Sequence, residues 1–209
     1  MLDDPRFEGF SAASVASVRG KQDLYHDFIP DSNSLDQKAP LLAKVWRPLE
    51  VTGKVSPSND YPKLGLLVPA FSRRAVLALA EMLSENGELL PLRTSIGEYF
   101  AYNVTTIADC LDRERSKIEW LSDDPGPWDC RALQVDRFQF RRECVERLVI
   151  FAIPELAGEV FVSQKFVDRA VGAELEGFDF IKVWPLPLKE NWLNLHKKSK
   201  VRRGLRPKK

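Results

Sequence analysis

Histidine and cysteine are scarce in this chain, with two of the first and three of the second among 209 residues. A zinc site takes three or four His, Cys or carboxylate ligands at workable spacing. His26 and His196 stand at opposite ends of the chain, and Cys110, Cys130 and Cys144 show no C-x-x-C spacing. No metal or cofactor is therefore expected. Three cysteines are also too few for a disulfide framework, and free thiols in a reducing compartment are the expected state. The chain has no G-x-S-x-G, no Walker loop and no G-x-G-x-x-G. Acyl transfer and phosphate cradling thus lack their usual sequence marks, and no catalytic residue is assigned. Apolar runs fall short of the roughly 18–20 residues that span a bilayer. The opening MLDDPRFEGF is acidic and carries no hydrophobic signal core. These absences point to a cytoplasmic protein without a membrane partner.

What the chain does have is core material: 44% apolar residues, including 12 Phe and 5 Trp. The length suits one domain with extensions. The net charge of +1 hides an asymmetry, because residues 191–209 hold eight Lys or Arg and no acid. The rest has 23 basic residues against 30 acidic ones, about −7. A basic end such as Lys197–Lys209 is compatible with nucleic acid, although it contains no aromatic residue to stack on bases. A solubilising tail is the plainer reading. The acidic body suits a basic protein partner through electrostatic steering.

One unit occurs twice, 91 residues apart: LGLLVPAFSRRAVLALAEML followed by GELLPL, and GEVFVSQKFVDRAVGAELEG followed by FDFIKV. Each reads as a strand, a capping serine (Ser72, Ser163), an amphipathic helix, a glycine and a second strand. In the first copy Phe71 and Val76 have the spacing of a hydrophobic staple. Gly87 has the position of a left-handed helix terminator, and Pro91 suits an edge or a strand end. Between the copies, EYFAYNV, KIEWL, RFQF and RLVIFAI read as strands, TTIADCLD as a short helical turn or loop, and SDDPGPWD as a loop. The sum is an α+β fold with a largely antiparallel or mixed sheet of about six strands and two or three helices. Residues 1–60 are expected to form an irregular extension packed on or preceding the main domain, 61–187 the domain itself, and 188–209 a basic, disordered tail.

The acids Asp109, Asp112, Glu114 and Glu119 alternate with Arg113, Arg115 and Lys117, the pattern of an internally compensated, solvated face. Asp123 and Asp124 differ, because they adjoin Pro125-Gly126-Pro127-Trp128 in a loop. An acidic loop bearing an aromatic is a plausible protein-contact element, balanced by a Trp128 that folds back on the core. Asp123, Asp124 and Trp128 are thus the candidate protein-binding residues. Trp120, Trp184 and Trp192 could act as stacking platforms for single-stranded nucleic acid, or pack. An enzyme would need the fold to bring His26 to a cysteine, or two carboxylates into one pocket.

Two segments carry a resemblance: LPLRTSIGEYFAYNVTTIADCLDRERSKIEW and FAIPELAGEVFVSQKFVDRAVGAELEGFDFIKV. Over roughly Tyr61 to Pro185 they resemble immunity-protein family eleven of bacterial polymorphic toxin systems, formerly a domain of unknown function. The residues that carry it best are Tyr99, Asn103, Leu111, Asp112, Ser116, Phe151, Ser163, Phe166, Gly177 and Phe180. The resemblance implies an α+β fold, no enzymatic role, and a cognate secreted toxin as partner, neutralised by direct contact. It assigns no contact residues, because these positions read as core and caps. The toxin and the oligomeric state stay open.

Overall fold

Strand β5 (Tyr99–Val104) organises the main sheet. Its residues are buried or half-buried on both faces, and both of its edges are paired. Its neighbours are β4 (Gly87–Arg93) and β3 (Ala70–Ser72), both antiparallel to it, with Leu90 and Ala70 opposite Ala101. Beyond β4 lies β2 (Leu49–Thr52), parallel, and beyond β2 the two-residue β1 (Ser11–Ala12), antiparallel, giving the order β1-β2-β4-β5-β3. The structure, a computed structural model, describes residues 11–12, 41–53, 55–62, 64, 68–121, 132–187 and 192. Helices α1 (Arg73–Ala78) and α2 (Ala80–Asn86) connect β3 to β4. Hairpins β6 (Lys117–Trp120)–β7 (Ala132–Arg137) and β8 (Ile150–Ile153)–β9 (Leu156–Val162) follow, with α3 (Arg142–Val145) between them and α4 (Gln164–Gly172) after them. The fold is α+β, and its strands divide into one mixed five-stranded sheet and two separate hairpins.

The twofold periodicity of the strands sorts the core into layers. Ala70, Leu90, Leu92, Tyr99 and Ala101 face a cluster completed by Leu42, Leu49, Val51 and Val55. Phe71 and Tyr102, on the opposite face, meet Ala75, Leu79 and Leu83 of the first helices and Phe166 and Ala170 of α4. Hairpin β8–β9 is itself a partition: Ile150 and Val162 belong to this second cluster, while Phe151, Ile153 and Phe161 belong to a third with Cys110, Leu111, Val135, Phe138 and Phe140.

The two copies of the repeated unit meet in the second cluster. Ser72 and Ser163 both cap their helices, accepting from Ala75 N and Phe166 N. Positions one period apart are buried together with complementary sizes, Ala75 with Phe166 and Leu79 with Ala170. Arg169 Nε donates to the Ala78 carbonyl at 2.8 Å, again one period apart. That carbonyl lies where the helix breaks at Leu79 (φ −111°, ψ 12°) into α1 and α2. The second copy has no closing strand. Phe178 and Phe180 stack on each other at 5.2 Å, and Phe178 on Tyr61 at 4.7 Å, so FDFIKV packs these rings against the second cluster and forms no strand.

Other local expectations change in the same way. Gly87 is extended at φ 178°. A side chain there would stand 2.3 Å from the Asn103 carbonyl oxygen and 2.5 Å from the Tyr102 ring, so the glycine permits close strand approach. Pro91 is the last residue paired with β5, and pairing with β2 starts at Leu92, so the missing N–H falls at the changeover. RFQF is strand only at Arg137. Phe138 and Phe140 leave the ladder to stack at 5.7 Å in the third cluster.

Asp60, only 2% exposed, ties three segments together. Its carboxylate accepts from Ser72 Oγ, from Arg74 Nε at 3.2 Å and Arg74 Nη2, and from Glu176 N at 2.8 Å. Its main chain donates to Glu176 O at 2.9 Å and accepts from Ser72 N at 3.1 Å. Removing this acceptor strands several buried donors, whereas Arg74 is half-exposed and can rehydrate. Asp60→Ala should therefore cost about 2–4 kcal/mol and Arg74→Ala about 1 kcal/mol or less. Urea unfolding of both variants checks this, and equal losses would refute the assignment of Asp60 as the hub.

Candidate partner-binding surface

Hairpin β6–β7 stands apart from the main sheet as a two-stranded ribbon. Its register pairs Ile118 with Val135 and Trp120 with Ala132, with irregularities on both sides of the Ile118–Glu119 step. Val135 is buried, and Ile118 and Ala132 pack on the same third cluster. The opposite face shows Lys117, Glu119, Leu133 and Gln134 to solvent. Two hydrogen bonds fix β7 to the body: the backbone Ala132 N donates to Glu155 O and the Trp192 side chain, through Nε1, to Val135 O, both at 2.8 Å. Lys117 Nζ meets Asp136 Oδ2 at 2.7 Å, and this lysine, together with Gln134, holds the Asp136 carboxyl below the usual carboxylate range. The far end of the ribbon is apolar and open, with Leu121 55% and Leu133 60% exposed. Exposed leucines on both arms of one hairpin, next to an acidic stretch of sequence, make this end a candidate protein contact.

The segment before the hairpin is held by its own side chains. Ser116 Oγ accepts from Gln139 N at 3.0 Å and donates to Gln139 O at 3.3 Å. Asp112 Oδ1 accepts from Arg115 N at 3.1 Å. Arg113 reaches Glu155 Oε1 at 2.6 Å and Asp109 Oδ1 at 3.3 Å, and Arg141 Nη2 lies 3.6 Å from Asp109 Oδ1. Asp109, Asp112 and Lys117 thus have partners close at hand, which commits them to the fold. Glu155 is the exception in kind, since it is 1% exposed. Burial pushes its carboxyl above the ordinary range despite the opposing Arg113.

The candidates from the sequence fall in different places. Asp123, Asp124 and Trp128 lie outside the described residues, between the described arms of the hairpin, and so do His26, His196, Cys130 and the Lys197–Lys209 tail. Trp184 packs edge-on against Phe140 at 6.0 Å, and Trp192 against Phe138 at 6.1 Å. Both are half-buried and pack on the third core cluster. The positions that carry the family resemblance are structural. Tyr99 Oη donates to Asn59 O, Asn103 Nδ2 to Glu88 Oε2, and Leu111, Phe151 and Phe166 are core. Gly177 (φ 91°) passes so close to Asn59 that a side chain would stand 1.9 Å from its Oδ1. Sequence reasoning missed two acids. Glu88 accepts from Leu42 N and Ala43 N at 2.7 and 3.1 Å and anchors the chain before β2. Glu155 was legible as a lone acid within the apolar run FAIPEL, a pattern that often marks a buried partner for an arginine.

An α+β protein emerges whose internal polar clusters serve its own fold and whose β6–β7 hairpin exposes Leu121 and Leu133. Residues 93–184 match the model of the immunity protein family (Imm11). The match starts at the end of β4 and takes in β5, both hairpins and α4, so it opens later than the resemblance drawn from Tyr61 and closes at Trp184. No curated protein matches the chain. Among the described residues no helix is long and apolar enough to cross a membrane, and no group of three or more His, Cys, Asp or Glu could hold a metal ion.

Because Glu155 has a raised folded pKa, its contribution to stability is fully present below its unfolded pKa and is lost as pH rises through the folded value. This contribution should fall as pH rises above the ordinary carboxylate range. Glu155→Gln should flatten the resulting slope of stability against pH, as read by denaturation midpoints. An unchanged slope in the variant would refute the assignment.

Proposed function

We propose that this protein neutralises a cognate toxin by direct protein–protein contact, without chemistry of its own. The observation that carries the reading is the match of residues 93–184 to an immunity protein family, a stretch that includes the whole β6–β7 hairpin. The contact surface is the open end of that hairpin. Leu121 and Leu133 supply apolar area there, and Asp123, Asp124 and Trp128 lie between them in the chain. An aromatic residue close behind two acids in the chain fits a basic partner, and the acidic body of the chain would steer such a partner toward it. A nucleic-acid-binding toxin, which must itself be basic, is the class best matched.

Co-expression with the toxin encoded beside it should protect cells, and the purified pair should form a complex. Asp123→Lys combined with Trp128→Ala should weaken the complex by about 100-fold or more, roughly 3 kcal/mol, and Leu133→Asp should weaken it about 10-fold, with unfolding midpoints unchanged. Titration calorimetry reads both. Full affinity in these variants would move the contact elsewhere on the molecule, and absence of any complex would refute the function itself.

A further inference from the structure

Cys110 and Cys144 are 34 positions apart in the sequence and share one packed cluster in the fold. Cys110 is fully buried in the segment that follows β5, while Cys144 is partly open to solvent on α3. The backbone holds the two segments together. Arg141 N donates to Cys110 O at 2.9 Å, and Cys144 N donates to Arg141 O at 3.0 Å one turn later. Cys144 Sγ lies 4.0 Å from the Asp109 carbonyl oxygen, an atom of the peptide unit that joins Asp109 to Cys110. That oxygen is about 2.8 Å from the Cys110 Cα by standard peptide geometry. The Cys144 sulfur is therefore within about 7 Å of the Cys110 Cα, and the two thiols are close enough to act on each other through a side-chain hydrogen bond. Burial, with the neighbouring Cys144 thiol second, pushes the Cys110 thiol up to about 12. The fold thus places an accessible thiol beside a shielded one, which is the arrangement of an attacking and a resolving cysteine.

We propose that Cys110 and Cys144 form a dithiol that closes to a disulfide when the protein meets a small-molecule disulfide. Cys144 exchanges first, forming a mixed disulfide and releasing one small thiol. The Cys110 thiol then gives its proton to solvent, its sulfur bonds to Cys144 Sγ, and the second small thiol leaves. Two protein thiols are oxidised and one small disulfide is reduced to two thiols. The new bond clamps the chain after β5 onto α3 and encloses hairpin β6–β7 in a covalent ring, since Lys117–Arg137 lies between the two cysteines. Such a ring restricts the unfolded chain and raises stability. The proposal is independent of the toxin reading: it concerns how firmly the base of the hairpin is held, whatever the hairpin binds.

The test treats the folded full chain with excess oxidised glutathione, then measures intact mass, a peptide map and the melting temperature. The expected product has lost the mass of two hydrogens, links the Cys110 and Cys144 peptides, melts higher, and reverts with dithiothreitol. Cys130→Ser should behave as the wild type, and Cys110→Ser should stop at a glutathione adduct on Cys144. A wild-type protein that keeps the adduct, crosslinks through Cys130 or does not react overturns the proposal. The wild-type peptide map decides by itself if Cys110→Ser does not fold.

Discussion

The carboxylate of Asp60 is the constraint on which the described fold most depends. It lies in the turn that leads into the main sheet, and its partners come from the start of α1 and from the turn after α4, 116 positions along the chain at Glu176. Ser72 accepts from Ala75 N while donating to Asp60, so the cap of the first helix and the buried acid form one connected unit. Arg74 extends that unit to the Glu174 carbonyl at 3.2 Å. A buried carboxylate is costly unless its lone pairs are filled. Filling them requires all three segments at once, and this fixes the two copies of the repeated unit against each other.

That fixed relation explains why the second cluster is so aromatic. Once α1 and α4 are locked, the chain after Gly177 is led across their base, and Tyr61, Phe71, Phe178 and Phe180 stack there. Side-chain packing takes over from strand pairing at the end of the second copy. Hairpin β8–β9 passes this order on, with one face on that cluster and the other on the third core, where Phe138, Phe140, Phe151 and Phe161 interleave. Hairpin β6–β7 then rests on the third core by a single face, and Leu121 and Leu133 are left exposed.

Much of the fold was legible locally. Ser72 and Ser163 cap helices because a serine before an apolar-periodic stretch has few better uses, and the α+β class follows from strand patterns flanking helical ones. EYFAYNV was readable as a buried strand because both its faces are apolar. The errors have a common cause. Gly87 and FDFIKV were judged by local propensity, yet Gly87 is dictated by the Tyr102 ring and FDFIKV by a stack with Tyr61, which is remote in sequence. The candidate surface was legible only as composition. Asp123, Asp124 and Trp128 stand out as an acidic loop with an aromatic, but nothing local shows that the arms beside them expose Leu121 and Leu133.

By itself, the sequence determined the α+β class, the serine caps of two helices, the charge of body and tail, and the family pattern of residues 93–184. These depend on residues near one another in the chain, or on sums over it. Only the tertiary structure decided that Asp60 and Glu155 are buried, that Cys110 and Cys144 share one core cluster, that Trp184 and Trp192 pack on it, and that hairpin β6–β7 pairs apart from the main sheet. Each depends on contacts across tens of residues. Burial and pairing there are set by whichever distant side chain fills the space, a quantity that no window of sequence contains.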